Sequence, residues 1–201
     1  MIEVLDNLFD NQFTNEVEDI TTDNHFPYFL ASKGIATVDK EFHPEKGEFK
    51  QIKEYLQFVH LVYRYDKKKK LTIKNSTMNT FADKIFDKVK QFSKMEDVEK
   101  YNIHTCKINF QTQHKNSNKD VHNTPHVDDN INHYAMLYYV NDSDGDTFFF
   151  DTDSRKIIKR ISPKKGRVVI FDGTHLHTGN HPINKSFRIV FNFNLTTELI
   201  L

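Results

Sequence analysis

His126-Val127-Asp128 sets an imidazole and a carboxylate two residues apart, and a later segment, Leu176-His177-Thr178-Gly179-Asn180-His181-Pro182-Ile183, leads to Arg188. On an extended strand, side chains at i and i+2 share one face. His126 and Asp128, joined by one His from a distant strand, would form a facial three-ligand site of the kind that holds Fe(II). Such a site leaves the opposite side of the metal open. A basic residue shortly after the distal His then suits the far carboxylate of a chelating cosubstrate. A bare H-x-D recurs by chance. H-x-D, H-x-G-x-x-P and Arg188, in this order, form a far more specific combination.

Each assignment has a competitor. His175 and His177 are i, i+2 and could share a face, so either could be the distal ligand. His177 is preferred for the Gly179, Pro182 and Arg188 that follow it. Arg188 could instead pair with a structural acid or face solvent. Strand parity puts Phe187, Ile189, Phe191, Phe193 and Leu195 on one face and Arg188, Val190, Asn192 and Asn194 on the other. An Arg turned into an interior needs an anion, and a bidentate carboxylate is its natural partner. The same parity turns Tyr139 inward with Ala135 and Leu137, while Met136, Tyr138 and Val140 pack outward; Tyr138 is the alternative. Of the eleven histidines, His25, His43, His60, His104, His114 and His133 have no partner at ligand spacing. His122, His175 and His181 lie near the candidate site in sequence.

The elements that would position these groups are mostly strands. Residues 104–112, 126–128, 133–141, 146–151, 155–161, 166–172 and 186–195 read as short strands. The turns Asn141-Asp142-Ser143-Asp144-Gly145, Ser162-Pro163-Lys164-Lys165-Gly166 and Asp172-Gly173 punctuate them. This rhythm predicts a mainly β sandwich or jelly roll. Residues 76–93 read as a helix capped by Ser76 or Thr77, with Phe81, Ile85, Val89 and Phe92 along one stripe that covers a sheet. Tyr55–Tyr63 reads as a strand, 1–35 as an irregular lead-in, and Gly34–Lys50 as loop. No repeat or linker divides the chain, which reads as one domain over 1–201.

Lys+Arg and Asp+Glu stand at 28 each among 201 residues, so no global charge argues for nucleic acid or an anionic membrane. Lys67-Lys68-Lys69-Lys70 is the one dense basic run, and a solvated turn is the preferred reading. The single cysteine, Cys106, excludes an intramolecular disulfide and suits a reducing, cytoplasmic setting; it reads as a small buried residue. No stretch is long and apolar enough to span a membrane, and the acidic N-terminus lacks the pattern of a signal peptide.

The segment from about 104 to 195 resembles the Fe(II)/2-oxoglutarate-dependent dioxygenases, in particular the prolyl-4-hydroxylase-like branch and its small phage and marine-bacterial members. The matching features are His122-x-x-Pro125-His126-Val127-Asp128, Leu137-Tyr138-Tyr139-Val140-Asn141, Asp144-Gly145-Asp146-Thr147-Phe148-Phe149-Phe150-Asp151, Pro163-Lys164-Lys165-Gly166-Arg167, and His177-Thr178-Gly179 through Arg188-Ile189-Val190. The earlier half matches only loosely, through Phe26-Pro27-Tyr28 and Phe58-x-His60. The resemblance implies a double-stranded β-helix (jelly-roll) core over 104–195, with helical and loop support from 1–103. It implies Fe(II) on His126, Asp128 and His177, and 2-oxoglutarate on Arg188, Tyr139 and Thr147. In one departure, Gln111 runs through a position where relatives often carry a second Tyr; an amide there can still hydrogen-bond the cosubstrate. O₂ is the second cosubstrate and ascorbate the expected reductant. The implied reaction is oxidative decarboxylation of 2-oxoglutarate to succinate and CO₂, coupled to hydroxylation of a C–H bond. If the source is a phage, the compartment is the host cytoplasm.

A peptidyl proline or a small molecule is the expected substrate. Nucleic-acid oxidation on the same fold is the second reading; balanced charge and the lack of an aromatic-basic stretch weigh against it. A non-catalytic jelly-roll binding module is the third, opposed by the complete ligand set with Arg188. Specificity in such folds resides in loops, and 30–54 and 112–125 are the expected lids. Oligomeric state leaves no mark in the sequence.

Overall fold

Alternating β-branched and aromatic residues dominate the chain from Gln57 onward, and period-two burial turns them into strands with two differently used faces. The computed structural model describes residues 1–31, 57–115, 117–120, 122–129 and 131–197. The expected loop at Gly34–Lys50, most of the 30–54 lid and the start of the Tyr55–Tyr63 strand lie outside the described residues. Among the described residues the elements run β1 (Ile2–Leu5), α1 (Asn11–Thr22), β2 (Phe29–Ala31), β3 (Gln57–Asp66), β4 (Leu71–Lys74), α2 (Asn79–Phe92) and β5 (Asn102–Thr112). They continue through β6 (Tyr134–Tyr139), β7 (Thr147–Phe150), β8 (Ile157–Ile161), β9 (Val168–Asp172), β10 (His177–Gly179) and β11 (Phe187–Thr196).

Two antiparallel sheets result, in the layout of a jelly roll. The larger has the order β1-β9-β6-β11-β5-β3-β2, with β4 on β3; the smaller is β10-β7-β8. Between them lies a core of Ala135, Leu137, Tyr139, Val169, Phe171 and Val190 from the larger sheet and Phe149 and Ile161 from the smaller. Behind the larger sheet, Met136, Tyr138, Val140, Ile189, Phe191, Phe193 and Leu195 pack with Val17 of α1 and Ala82, Ile85, Phe86 and Val89 of α2. The strand parity read for β6 and β11 is therefore the observed one. Tyr138, the alternative to Tyr139, meets Phe9 and Phe13 edge-on on the helix side, away from the space between the sheets.

Several sequence expectations change. Residues 1–31 of the expected 1–35 lead-in form regular elements: β1 pairs with β9, and α1 is capped by Asp10, whose carboxylate accepts from Phe13 N at 2.8 Å. Polar Thr and Asn residues dilute the apolar stripe of α1, which hides it from a periodicity reading. Residues 1–103 thus supply β1–β4 to the larger sheet as well as helices. Helix α2 begins later than expected and takes Met78 as its N-cap, without a side-chain bond. Ser76 Oγ instead accepts from Met78 N and pairs with His60 Nε2. The buried stripe of α2 is Ala82, Ile85, Phe86 and Val89, and Phe92 is exposed. Lys67–Lys70 is the exposed turn joining β3 to β4, held by Asp66 Oδ1 accepting from Lys68 N and Lys69 N. Cys106 is buried and free. No helix among the described residues is long and apolar enough to cross a membrane.

Candidate active site

His126 and His177 face each other across an isolated antiparallel bridge. Each backbone N–H donates to the other's carbonyl, at 2.9 and 3.0 Å, which sets the two rings on one side, 5.1 Å apart. Asp128, two residues beyond His126, reaches the same point: Oδ1 lies 3.6 Å from His126 Nε2 and Oδ2 3.7 Å from His177 Nε2. Together the three residues offer a donor set with atoms within 4.8 Å of one another. His177 enters on β10, a strand the sequence reading missed because only three residues pair, with β7. The structure brings His177 to this cluster and not His175. The His175 carbonyl instead accepts from His177 Nδ1 at 2.9 Å, and the Thr124 carbonyl accepts from His126 Nδ1 at 3.0 Å.

Those two carbonyls fix the tautomers. A carbonyl only accepts, so each ring carries its hydrogen on Nδ1 and turns an Nε2 lone pair toward the common point, as a metal requires. Burial would raise the Asp128 carboxyl, but it lies well below the usual carboxylate range, the charge of Lys107 being among the causes that lower it. An ionised carboxylate between two neutral imidazole lone pairs fits a divalent cation such as Fe(II). Asn192 Nδ2 donates to Asp128 Oδ2 at 3.1 Å and anchors it. Parity had placed Asn192 on the Arg188 face without assigning it this contact.

Arg188 lies further along the same face of β11. Asn141, where β6 ends, extends the ladder there with its side chain: Oδ1 accepts from Ile189 N at 2.8 Å and Nδ2 donates to the Phe187 carbonyl. The guanidinium is buried, which pushes its pKa down. Its partners are neutral: Nη1 donates to Gln111 Oε1 at 2.8 Å, Nη2 donates to Thr147 Oγ1 at 2.9 Å, and Nε is buried without a partner. Tyr139 closes the group, its hydroxyl 2.7 Å from Thr147 Oγ1 and its ring centre 5.4 Å from the guanidinium carbon. Gly179 forms the wall; a Cβ there would lie 3.2–3.4 Å from Arg188 Nη1, Nη2 and Cζ. A buried cation among neutral donors and acceptors, with one N–H unsatisfied, fits an incoming carboxylate.

The four residues read as a cosubstrate pocket are thus together, with Gln111 Oε1 accepting from Arg188. The other nearby histidines stand apart from the three-residue cluster. His122 packs its ring on Phe148 and Phe150, His181 Nδ1 pairs with the Thr112 carbonyl, and His175 is half-buried. Two described residues of the expected 112–125 lid are tied to the end of β10: Asn123 Nδ2 donates to the Gly179 carbonyl at 2.8 Å, and Asn180 Nδ2 to the Asn118 carbonyl at 3.2 Å.

Residues 91–196, just over half of the chain, match the family model of the 2OG-Fe(II) oxygenase superfamily, and the chain belongs to that family. It is accordingly an oxygenase of the Fe(II)- and 2-oxoglutarate-dependent class, using O₂. No curated protein sequence matches it. Among solved structures it is similar to a 2OG-Fe(II) oxygenase family oxidoreductase from Burkholderia pseudomallei, with TM-score 0.71 and 13% identity over 98% of this chain and 85% of that one. It is also similar to a Trichoplax adhaerens prolyl hydroxylase in complex with a hypoxia inducible factor peptide fragment, with TM-score 0.59 and 11% identity over 99% and 84%. A Pseudomonas putida prolyl-4-hydroxylase gives 0.54 and 10% over 96% and 91%. At these identities the likeness is one of fold.

Proposed function

We propose that His126, Asp128 and His177 hold the Fe(II), that Arg188, Tyr139, Thr147 and Gln111 hold 2-oxoglutarate, and that the protein hydroxylates an unactivated C–H bond. The observation that carries this is the alignment, on one interior surface, of a His/Asp/His donor set with a buried guanidinium that has no carboxylate among its hydrogen-bond partners. When bound, Fe(II) with 2-oxoglutarate and O₂ supplies the oxidant: one oxygen atom enters the C–H bond, the other enters succinate, and CO₂ leaves. The chain's residues do the rest. Arg188 pairs with the distal carboxylate and fixes the cosubstrate's reach, Thr147 and Tyr139 orient that guanidinium, and Asn192 holds Asp128. The apolar packing of Phe149, Phe171 and Leu137 behind the site excludes water. Ascorbate is the proposed reductant, and the proposed functional unit is one domain, 104–195 as core and 1–103 as support.

A prolyl residue of a peptide is the first substrate reading, supported by the motif resemblance and by the prolyl hydroxylases that share the fold. A small molecule is the second, favoured by the polar groups on the concave face described below. The test is incubation with Fe(II), ascorbate and 2-oxoglutarate, with succinate release compared across proline-rich peptides, single-stranded oligonucleotides and metabolites. Stimulation by proline peptides, with gain of one oxygen by mass, is the expected result for the first reading. Stimulation confined to the other groups contradicts it while leaving the oxygenase chemistry intact.

A further inference from the structure

The concave face of the larger sheet carries a cation, Lys107, whose charge acts on Asp128 but which makes no hydrogen bond to the metal donors or the cosubstrate pocket. Lys107 lies on β5 between Cys106 and Ile108, which both point into the helix-side core, so its own side chain faces the other way, as do those of Asn109 and Gln111. It stands in register with Asn192 of β11 on one side and Leu61 of β3 on the other. It is partly buried, and among the described residues it has no hydrogen-bond or ion-pair partner.

Two amides beside it are incompletely satisfied. Asn192 Nδ2 donates to Asp128, and an ionised carboxylate can only accept, so the orientation of this amide is fixed. Its Oδ1 therefore points away from Asp128, and it is buried without a partner in a residue 8% exposed. Asn109 Oδ1, two residues from Lys107 on the same face, is likewise buried and unpartnered in a residue 9% exposed. Buried amide oxygens normally have donors, and orphans of this kind mark a place for an incoming one.

Register separates these groups from the cosubstrate. Arg188 pairs with Gln111, Val190 with Asn109, and Asn192 with Lys107. At roughly 3.3 Å per residue, Lys107 is roughly 13 Å along the strand from Gln111. The Asp128 contact lies at the level of Asn192, so the distal carboxylate of a cosubstrate held by Arg188 lies at the opposite end of this stretch from Lys107.

We propose that the substrate carries a carboxylate close to its reacting C–H bond, paired with Lys107, and an adjacent N–H donor received by the amide oxygens of Asn192 and Asn109. The chemical class is a free α-amino acid. This deepens the oxygenase reading and rests on it: R–H, 2-oxoglutarate and O₂ give R–OH, succinate and CO₂. Because Asn192 contacts both the proposed substrate and Asp128, it also ties substrate binding to the metal centre.

The test has two arms. In the first, the Fe(II)-loaded protein with 2-oxoglutarate, ascorbate and O₂ receives each protein amino acid or its α-carboxamide, and succinate and mass gain are measured. One or more acids should be hydroxylated, with the matched amide showing a KM about ten- to a hundredfold higher, the range for losing one charge-assisted bond. Lys107→Met should abolish that discrimination. In the second arm, wild-type protein with Mn(II) and saturating 2-oxoglutarate is trace-acetylated and analysed by mass spectrometry. The stimulating acids should shield Lys107 and leave Lys67–Lys70 labelled. This arm involves no turnover and no variant that could misfold. Equal use of acid and amide, or failure of every acid to shield Lys107, overturns the proposal. Absence of any 2-oxoglutarate decarboxylation would instead overturn the oxygenase reading, and shielding of Lys107 would still decide whether a carboxylate site exists.

Discussion

Gln111 Oε1 accepts a 2.8 Å hydrogen bond from Arg188 Nη1 across the β5–β11 ladder, so a neutral amide and not an acid faces this buried guanidinium. The cation keeps its charge available for a ligand. Arg188→Ala should raise the 2-oxoglutarate KM about ten- to a hundredfold, equivalent to about 1.5–3 kcal/mol for a charge-assisted bond, while iron affinity changes little. Arg188→Lys should recover only part of the loss, because an ammonium cannot keep Gln111, Thr147 and a carboxylate in one plane. Steady-state kinetics and anaerobic iron titration check both; an unchanged KM in Arg188→Ala would remove Arg188 from the cosubstrate pocket.

Gly179 is pressed against the same guanidinium. A methyl group at 3.2–3.4 Å from Arg188 Nη1, Nη2 and Cζ would displace it by a few tenths of an ångström. Gly179→Ala should therefore raise the 2-oxoglutarate KM more than it lowers thermal stability. Gly145→Ala should do the opposite. Its Cβ would meet the Asn180 carbonyl oxygen at 2.5 Å, a backbone atom with nowhere to move, and overpacking of this kind costs about 1–3 kcal/mol. Thermal melts and KM values of the two variants should separate cleanly.

Asp144 gives a pH signature away from the metal. Burial raises its pKa, but hydrogen bonds from the backbone N–H groups of Ile183, Asn184 and Lys185 outweigh this and lower it. A carboxyl with a depressed folded pKa contributes stability above its unfolded pKa, about 3.9, and loses it as pH falls through the folded value. Asp144→Asn should melt below wild type at neutral pH, with the gap closing as the medium becomes more acidic than about pH 4. A gap that stays constant with pH would mean that Asp144 acts through shape and not charge.

The strand face carrying Arg188, Asn192 and Asn194 was legible because period-two alternation needs no tertiary information. The same is true of Tyr139 against Tyr138, and of the H-x-D pair. Where long-range pairing decides, the sequence was silent. β10 is three residues long and exists only through β7 and the His126 bridge, so nothing local marks it as a strand. β1 is four residues and depends on β9. Helix α1 could have been found from Asp10 and the spacing of Phe13, Val17 and Ile20, had its threonines been weighed as side chains that bond back to their own helix, as Thr21 does to the Val17 carbonyl. The contact of Asn192 with Asp128 joins residues 64 positions apart, and no spacing rule reaches that far.

His126, Asp128 and His177 are proposed as the iron centre of a 2-oxoglutarate-dependent oxygenase. The most direct measurement is succinate formed from 2-oxoglutarate, with and without added Fe(II), by wild type, His177→Ala and His175→Ala. His175 contributes only its backbone carbonyl to the cluster, so His175→Ala should keep iron-dependent turnover. His177→Ala should bind iron weakly and form no succinate above background. Turnover in His177→Ala with loss in His175→Ala, or succinate formation indifferent to Fe(II), would contradict the account.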